Sequence, residues 1–129
     1  MKQHTPPESV IVGKIMKKLK PLCIIRKRHG SGFGTKGDPD LYGCLPLDHP
    51  EWPGRHFEIE VKRPGHRPTE LQVTRLREWA QAGALTGVAT CVEDAQRLLK
   101  LGMGKTLMEI FAEEEEKKGE QAMGRGLQL

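Results

Sequence analysis

The sequence predicts an α/β domain whose elements follow the order α-β-β-β-α-β-α. Three patterns along the 129 residues support this prediction. Apolar residues recur at helical spacing between residues 11 and 19, and a capping-box pattern opens a second helix at Thr69. Between them, residues 56–62 alternate strictly between polar and apolar side chains, which is the period of a strand with one buried face.

The first helix is predicted to start at a capping box. Thr5 suits the N-cap, Pro6 suits the first helical position, and Glu8 stands at N3. Pro21 ends the helical pattern, because proline lacks the amide that a helix interior needs. Glu8 lies on the apolar stripe of this helix, so two interpretations stay open: a capping carboxylate, or an acid directed at a metal site.

A strand is expected at 22–25, followed at once by the basic run 26–29. These basic side chains belong either to a solvated strand end or to a surface that contacts backbone phosphates. The glycine-rich stretch 30–37 contains G-x-G-x-x-G, yet no helix pattern opens there, which argues against a dinucleotide-binding fold. We expect either a flexible hairpin connection or a loop whose backbone amides approach phosphate.

Two further strands are predicted at 41–47 and 56–62, joined by a proline-stiffened loop that contains Trp52. Trp52 is expected to pack within the fold, with stacking on an exposed base as the alternative. A basic turn follows at residues 63–68.

The second helix is predicted to run from the capping box at 69–72 to Gly83. Gln72 therefore has either a capping role or a role at a site near the end of the preceding strand. A strand at 87–92 and a helix at 93–101, closed by Gly102, are expected next.

Residues 105–118 show the apolar spacing of a final helix. We interpret it as a dimer arm or as a segment that frays into the acidic tail. Residues 5–102 are accordingly assigned to one domain, and residues 103–129 to a C-terminal helix and tail.

The chain has a formal net charge of +4, and 29% of its residues are charged. The charge is uneven, because segment 14–36 contains eight Lys or Arg and no acid, whereas 113–116 is a run of Glu. Such local basicity favours a polyanionic partner. The residues expected to contact nucleic acid are basic or polar and lie in predicted strand ends and loops: Arg26, Lys27, Arg28, Ser31, Lys36, Arg63, His66 and Arg67.

Three cysteines lie far apart and form no C-x-x-C pair, which indicates neither a zinc ribbon nor a disulfide framework. Reduced thiols in a cytoplasmic compartment are the simplest interpretation. No apolar stretch approaches the length of a membrane span, and the N-terminus lacks a signal-peptide pattern, so neither membrane insertion nor secretion is expected.

The polar face of the strand 56–62 has the composition of a metal site. Glu58, Glu60 and Lys62 point the same way, and Asp40 precedes the neighbouring predicted strand. Carboxylates bind Mg²⁺, and a nearby lysine is able to orient an attacking water. The pattern predicts a metal-dependent phosphodiesterase site. The alternative is a surface Glu–Lys pair worth at most about 1 kcal/mol.

Taken together, the motifs Gly37–Leu41, Glu60–Lys62 and Thr69–Gln72 resemble the VRR-NUC (virus-type replication-repair nuclease) domain, over residues 8–101. That domain belongs to the PD-(D/E)xK, restriction-endonuclease-like superfamily. The resemblance implies a restriction-endonuclease-like core, with a central mixed four-stranded sheet flanked by helices. It also implies Mg²⁺, replaceable by Mn²⁺, as cofactor, and DNA as substrate.

By matching position, the resemblance implies that Asp40 and Glu60 bind the metal through their side chains and Val61 through its carbonyl. Lys62 would be the catalytic lysine. Glu8 matches an N-terminal helical acid that binds metal, and Gln72 matches a catalytic glutamine. Two neighbouring acids, Asp38 and Glu58, duplicate the ligand types and leave the assignment open.

Small stand-alone members of this family look like phage or bacterial proteins, and some resemble dimeric junction-resolving enzymes. The expected function is therefore structure-selective DNA cleavage by a homodimer, on branched DNA such as four-way (Holliday) junctions, in DNA repair within a bacterial or phage-infected cell. Two alternatives stay open: a decayed nuclease fold that only binds nucleic acid, and a nuclease that acts on RNA.

Overall fold

A computed structural model describes residues 5–29, 34–47, 50–51 and 53–102. The described residues form seven elements in the predicted order, which confirms the α/β class. They are α1 (Glu8–Leu19), β1 (Ile24–Lys27), β2 (Leu41–Pro46), β3 (Gly54–Val61), α2 (Glu70–Gln81), β4 (Leu85–Ala89) and α3 (Val92–Gly102). None of the described helices combines the length and apolar character needed to cross a membrane.

The four strands form one mixed sheet in the order β1-β2-β3-β4. The first three strands are antiparallel neighbours, whereas β4 runs parallel to β3. A parallel pair needs a crossover, and α2 provides it. The mixed four-stranded sheet flanked by helices is thereby confirmed.

One face of the sheet carries the hydrophobic core. The alternating residues Phe57, Ile59 and Val61 of β3 are fully buried there, as the strand pattern predicts. Helices α1 and α3 contribute the apolar side chains that pack in the same cluster. The helical members of the core are Ile11, Val12, Ile15 and Leu19 of α1, and Ala95 and Leu99 of α3.

The opposite face of the sheet was expected to be exposed, and this expectation is wrong. Glu58 and Glu60 are 0% and 2% exposed, respectively. Helix α2 covers part of this face, where the Trp79 ring stacks against His56 of β3. A buried carboxylate is costly unless it has a partner, and Glu58 and Glu60 differ in the partners that they have.

Gly43 of β2 marks a close approach between strands. A Cβ atom at this position would lie 1.8 Å from the Ile24 carbonyl oxygen of β1 and 2.7 Å from the Phe57 ring. Real atoms do not approach so closely, so only glycine lets β1 pair with β2 above the buried Phe57 side chain.

The predicted capping box at the start of α1 is wrong. The N-cap residue is Pro7, which is extended (φ −62°, ψ 155°) and provides no side-chain cap. Proline disfavours helical geometry in the residue before it, so Pro7 keeps Pro6 outside the helix. The backbone carbonyl of Thr5 instead accepts a hydrogen bond from Arg63 at 3.2 Å.

Several boundaries differ from the predicted ones by two or three residues. Strand β1 starts at Ile24 and includes Arg26 and Lys27, whereas β4 covers 85–89 instead of 87–92. Strand β4 ends early because the Asp94 carboxylate accepts hydrogen bonds from both the amide and the hydroxyl of Thr90 at 2.8 Å. The predicted roles of Ser31, Trp52 and residues 103–129 lie outside the described residues.

Candidate active site at the end of strand β3

Asp40, the residue just before β2, and Glu60 of β3 meet at the same end of the sheet. Leu41 of β2 is in register with Ile59 of β3, which places Asp40 opposite Glu60 one position further along. The Asp40 Oδ2 atom accepts a hydrogen bond of 2.8 Å from the Val61 amide. The strand pairing therefore joins two carboxylates that stand twenty residues apart in the sequence.

The Glu60 side chain is almost fully buried. Its Oε2 atom is buried and has no hydrogen-bond partner. Burial is the largest cause that raises the pKa of Glu60, to about 8, and the charge of Asp40 raises it further. Lys62 acts in the opposite direction, whereas a hydrogen bond with Asp40 and the charge of Glu8 add to the increase.

Lys62 lies between two acids just beyond the end of β3. Its Nζ atom is 3.8 Å from Glu60 Oε1 and 3.9 Å from Glu8 Oε1, and its side chain is only 13% exposed. The Lys62 amide also donates a hydrogen bond of 3.0 Å to the Ala89 carbonyl. The ammonium group is therefore held next to the carboxylate pair, and Glu8 at the start of α1 reaches the site through it.

The carboxylate oxygens at this site suit a divalent cation that takes only some of its ligands from the protein. Asp40 and Glu60 place two hard oxygen ligands together, and Glu60 Oε2 has no competing hydrogen bond. Within the described parts of the chain, no group of three or more His, Cys, Asp or Glu is arranged to hold a metal ion. Mg²⁺ commonly binds through one or two carboxylates and keeps several waters, so a two-carboxylate site suits it.

Glu58 lies two residues before Glu60 and has a different environment. Both of its oxygens are bound by the Arg28 guanidinium, with Nη2 at 3.1 Å from Oε2, and His56 Nε2 also contacts Oε2. Burial opposes the charged form of Arg28, but hydrogen bonding to Glu58 and the charge of Glu58 raise its pKa overall. Glu58 is thus the neutralised member of the acid pair on this strand.

Asp38, the second duplicate acid, is also engaged. Its Oδ1 atom accepts a hydrogen bond of 3.1 Å from the Trp79 indole of α2. The Trp79 ring stacks on His56 at 5.1 Å between ring centroids, and the Arg28 guanidinium lies 4.6 Å from the centre of the Tyr42 ring.

The sequence interpretation missed this aromatic group. The strand alternation offered a partial signal, because it places His56 on the face of Glu58, and the pairing of β2 with β3 adds Tyr42 to that face.

Gln72 performs the capping role that its sequence position allowed. Its Oε1 atom accepts a hydrogen bond of 2.9 Å from the Thr69 amide, and the Thr69 hydroxyl accepts one of 3.2 Å from the Gln72 amide. The predicted capping box at the start of α2 is confirmed. This interaction occupies the Gln72 carbonyl in the structure.

The basic residues predicted to contact nucleic acid separate into two groups. Arg28 and Arg63 are partly buried, and Arg63 holds the Thr5 backbone. The remaining described members are exposed: Arg26, Lys27, Lys36, His66 and Arg67.

Comparison with known proteins supports the fold. No protein-family model matches the chain, and no curated protein matches it. Two similar solved structures are described as "VRR_NUC domain" and "VRR_NUC domain protein". The first has a TM-score of 0.58 and 23% identity, covering 72% of this chain and 94% of its own. The second has a TM-score of 0.58 and 21% identity, covering 76% and 88%. The resemblance predicted from the motifs is confirmed at the level of the fold, because this chain folds as the VRR_NUC domain structures do.

Proposed function

We propose that this protein is a metal-dependent nuclease of the PD-(D/E)xK type that hydrolyses phosphodiester bonds in DNA. The proposal rests on one observation: Asp40 and Glu60 meet beside Lys62, with a buried Glu60 oxygen that lacks a partner. The fold shared with the VRR_NUC domain structures supports this proposal.

Asp40 and Glu60 would hold the cation, Mg²⁺ or Mn²⁺, and the Val61 carbonyl would add a third oxygen. When bound, the cation neutralises charge on the phosphate oxygens and lowers the pKa of a bound water. The Val61 amide donates a hydrogen bond to the Asp40 carboxylate and so orients this proposed ligand. Burial raises the pKa of Glu60, so this residue would have to release its proton in order to hold the cation, and the positive charge of the cation would favour that release.

Lys62 would position the attacking water. Its ammonium group is held by Glu60 on one side and by Glu8 on the other, which limits the orientations that the long side chain adopts. A fixed donor beside the metal ligands is suited to orienting a water in line with the phosphorus. Glu8 then acts through Lys62, as the outer acid of the site.

The substrate in this proposal is branched DNA, such as a four-way junction, cut by a homodimer. A two-fold symmetric dimer presents two identical sites, which matches the two strands that are cut in a junction. The exposed basic residues, among them Arg26, Lys27, Lys36 and Arg67, would contact backbone phosphates. Such an enzyme would work in DNA repair, in the cytoplasm of a bacterial or phage-infected cell.

The test compares cleavage of a labelled four-way junction with cleavage of a matched linear duplex and a matched RNA. Each is incubated with Mg²⁺, with Mn²⁺ and with EDTA, alongside sizing of the protein by light scattering. We expect symmetric cuts near the branch point with either metal, none with EDTA, and a dimeric mass. Equal cleavage of junction and duplex would contradict the proposed selectivity for branched DNA. Cleavage of RNA alone would show that the substrate is RNA and not DNA.

Lys62→Ala is the matched variant, with Lys18→Ala as its control, because Lys18 lies exposed near the end of α1. We expect Lys62→Ala to abolish cleavage while it retains folding and DNA binding, and Lys18→Ala to cleave as the wild type does. Full activity in Lys62→Ala would overturn the site assignment. Binding of the junction without cleavage under any metal would favour a nuclease fold that has lost its activity.

A further inference from the structure

Arg28 is bound to the segment that carries Asp40, although its basic character suggests a phosphate contact. Its backbone amide donates to the Asp40 carbonyl at 2.8 Å, beyond the end of β1. Its guanidinium Nη1 atom donates to the Pro39 carbonyl at 2.7 Å. The same guanidinium binds both oxygens of Glu58 on β3. One arginine therefore links β1, the segment before β2, and the central strand.

The segment 38–40 is also held from the other side. The Trp79 indole of α2 donates to Asp38 Oδ1 at 3.1 Å, and the Pro39 side chain is fully buried. Asp40, the last residue of this segment, is directed at the Val61 amide. The position of the Asp40 carboxylate thus depends on contacts made by its two predecessors.

We propose that Arg28 is a positioning residue that holds the Asp40 carboxylate against the Val61 amide, with Glu58 as its buried counter-ion. The role follows from the geometry, and its link to catalysis rests on the function proposed above. Glu58 fixes the guanidinium because it is 0% exposed and occupies donors on both Nη atoms. The fixed guanidinium then holds the Pro39 carbonyl, which leaves Asp40 little freedom.

The chemistry of the contacts requires arginine. A guanidinium is planar and presents several donors in a fixed fork, so it binds a carboxylate with two donors and a carbonyl at the same time. A lysine ammonium is a point charge on a flexible stem and does not reproduce this arrangement. Arg26 and Lys27 on the same strand are exposed, and they suit the phosphate contact better.

Steady-state cleavage of the junction by Arg28→Ala, Arg28→Lys and Arg26→Ala separates positioning from phosphate binding. We expect Arg28→Ala to lower kcat about 10- to 100-fold with little change in KM, because a ligand displaced by about 1 Å costs this much. Arg28→Lys should also have a lowered kcat. Arg26→Ala should mainly raise KM and make KM less dependent on salt concentration. An unchanged kcat with a raised KM in Arg28→Ala would overturn the proposal.

Hydrogen exchange of the Val61 amide tests the same role without any activity. In the metal-free protein, Arg28→Ala should lose protection at Val61 while Ile59, in register with Leu41, keeps its protection within about twofold. Loss at both amides together would mean a merely structural role, and retention at both would refute the proposal. Arg28→Lys provides the same comparison if Arg28→Ala does not fold.

The exchange measurement also separates the two proposals. If the wild-type protein cuts no substrate, the proposed nuclease function fails, yet selective loss of protection at Val61 would still assign the positioning role to Arg28. If the wild type cuts the junction and Val61 exchange is unchanged in Arg28→Ala, the nuclease function stands and the positioning role fails.

Discussion

Glu58 and Glu60 occupy equivalent positions on one strand but have different electrostatic environments. Both point to the same face of β3, two residues apart, and both are almost fully buried. Glu58 is bound by Arg28 and His56. Glu60 has one oxygen without a partner and lies beside another carboxylate, Asp40, while Lys62 is 3.8 Å from its other oxygen.

The difference comes from what the neighbouring strand supplies at each level. Tyr42 of β2 is in register with Glu58, and Arg28 reaches the same level from the end of β1. One position further along, the residue opposite Glu60 is Asp40, which precedes β2 and is an acid. A buried carboxylate that faces a like charge is costly, and a bound cation removes that cost. Partners, and not the residue type, thus separate a structural acid from a candidate metal ligand.

The largest expected effect concerns cleavage. Glu60→Gln keeps the shape of the side chain but removes a proposed metal ligand, so we expect cleavage to fall by about 10²–10³-fold or more. Glu58→Gln should reduce cleavage less, since it weakens the contacts with Arg28 and His56 but removes no proposed metal ligand. The rates are measured under single-turnover conditions, with Glu93→Gln, an exposed acid on α3, as the control for loss of charge. A smaller effect from Glu60→Gln than from Glu58→Gln would reverse the comparison.

The next effect concerns stability. Glu58→Ala leaves Arg28 without its buried counter-ion, and we expect it to lower the free energy of unfolding by about 3 kcal/mol. Urea denaturation of the metal-free protein measures this loss, and Glu60→Gln should not show it. A loss below about 1 kcal/mol would give the Arg28–Glu58 pair the value of an exposed ion pair.

The pH dependence of stability should distinguish the two glutamates. The pKa of Glu60 is raised from 4.5 to about 8 in the folded chain, so the folded state binds more protons between these values. Its contribution to stability is full below pH 4.5 and is lost as the pH rises through about 8. In EDTA we expect the Tm to fall by several degrees between pH 5 and pH 9. Glu60→Gln should flatten this profile and Glu58→Gln should retain it; equal slopes in wild type and Glu60→Gln would contradict the assignment.

The smallest expected effect is stabilisation by metal. A ligand that binds only the folded state at ten times its Kd adds about 1.4 kcal/mol to the free energy of unfolding. Mg²⁺ should therefore raise the Tm of the wild type and of Glu58→Gln, but not that of Glu60→Gln. NaCl at matched ionic strength serves as the control. A Tm increase in Glu60→Gln equal to that of the wild type would place the cation elsewhere.

Local patterns were sufficient to predict β2, β3 and α2. Strand β3 shows strict alternation, and the start of α2 is encoded by two residues, Thr69 and Gln72, that bind each other. The start of α1 was predicted wrongly, because Pro7 was taken as a helical residue, whereas it stays extended and keeps Pro6 out of the helix. Strand β4 was shifted because Asp94 turns the chain at Thr90, a contact that apolar spacing does not encode.

The candidate site was predicted in part. The proximity of Asp40 and Glu60 followed from the order of the motifs, and the sheet register supports it. The sequence did not distinguish Glu58 from Glu60, because the distinction depends on Arg28, which is thirty residues away in the chain. Burial of the polar face was missed for the same reason: α2 and the ion pair belong to other parts of the sequence.

Gly43 has a consequence for any mutational survey of this protein. A side chain at Gly43 would push β1 away from β2, because the Ile24 carbonyl occupies the space that it needs. Arg28 follows directly after β1, so the same shift would move Arg28 away from Pro39 and Glu58. A saturation screen scored by enzyme activity would then rank this glycine among the catalytic positions, although it has no side chain with which to act. Sensitivity to substitution at residue 43 would therefore measure how closely two backbones must approach.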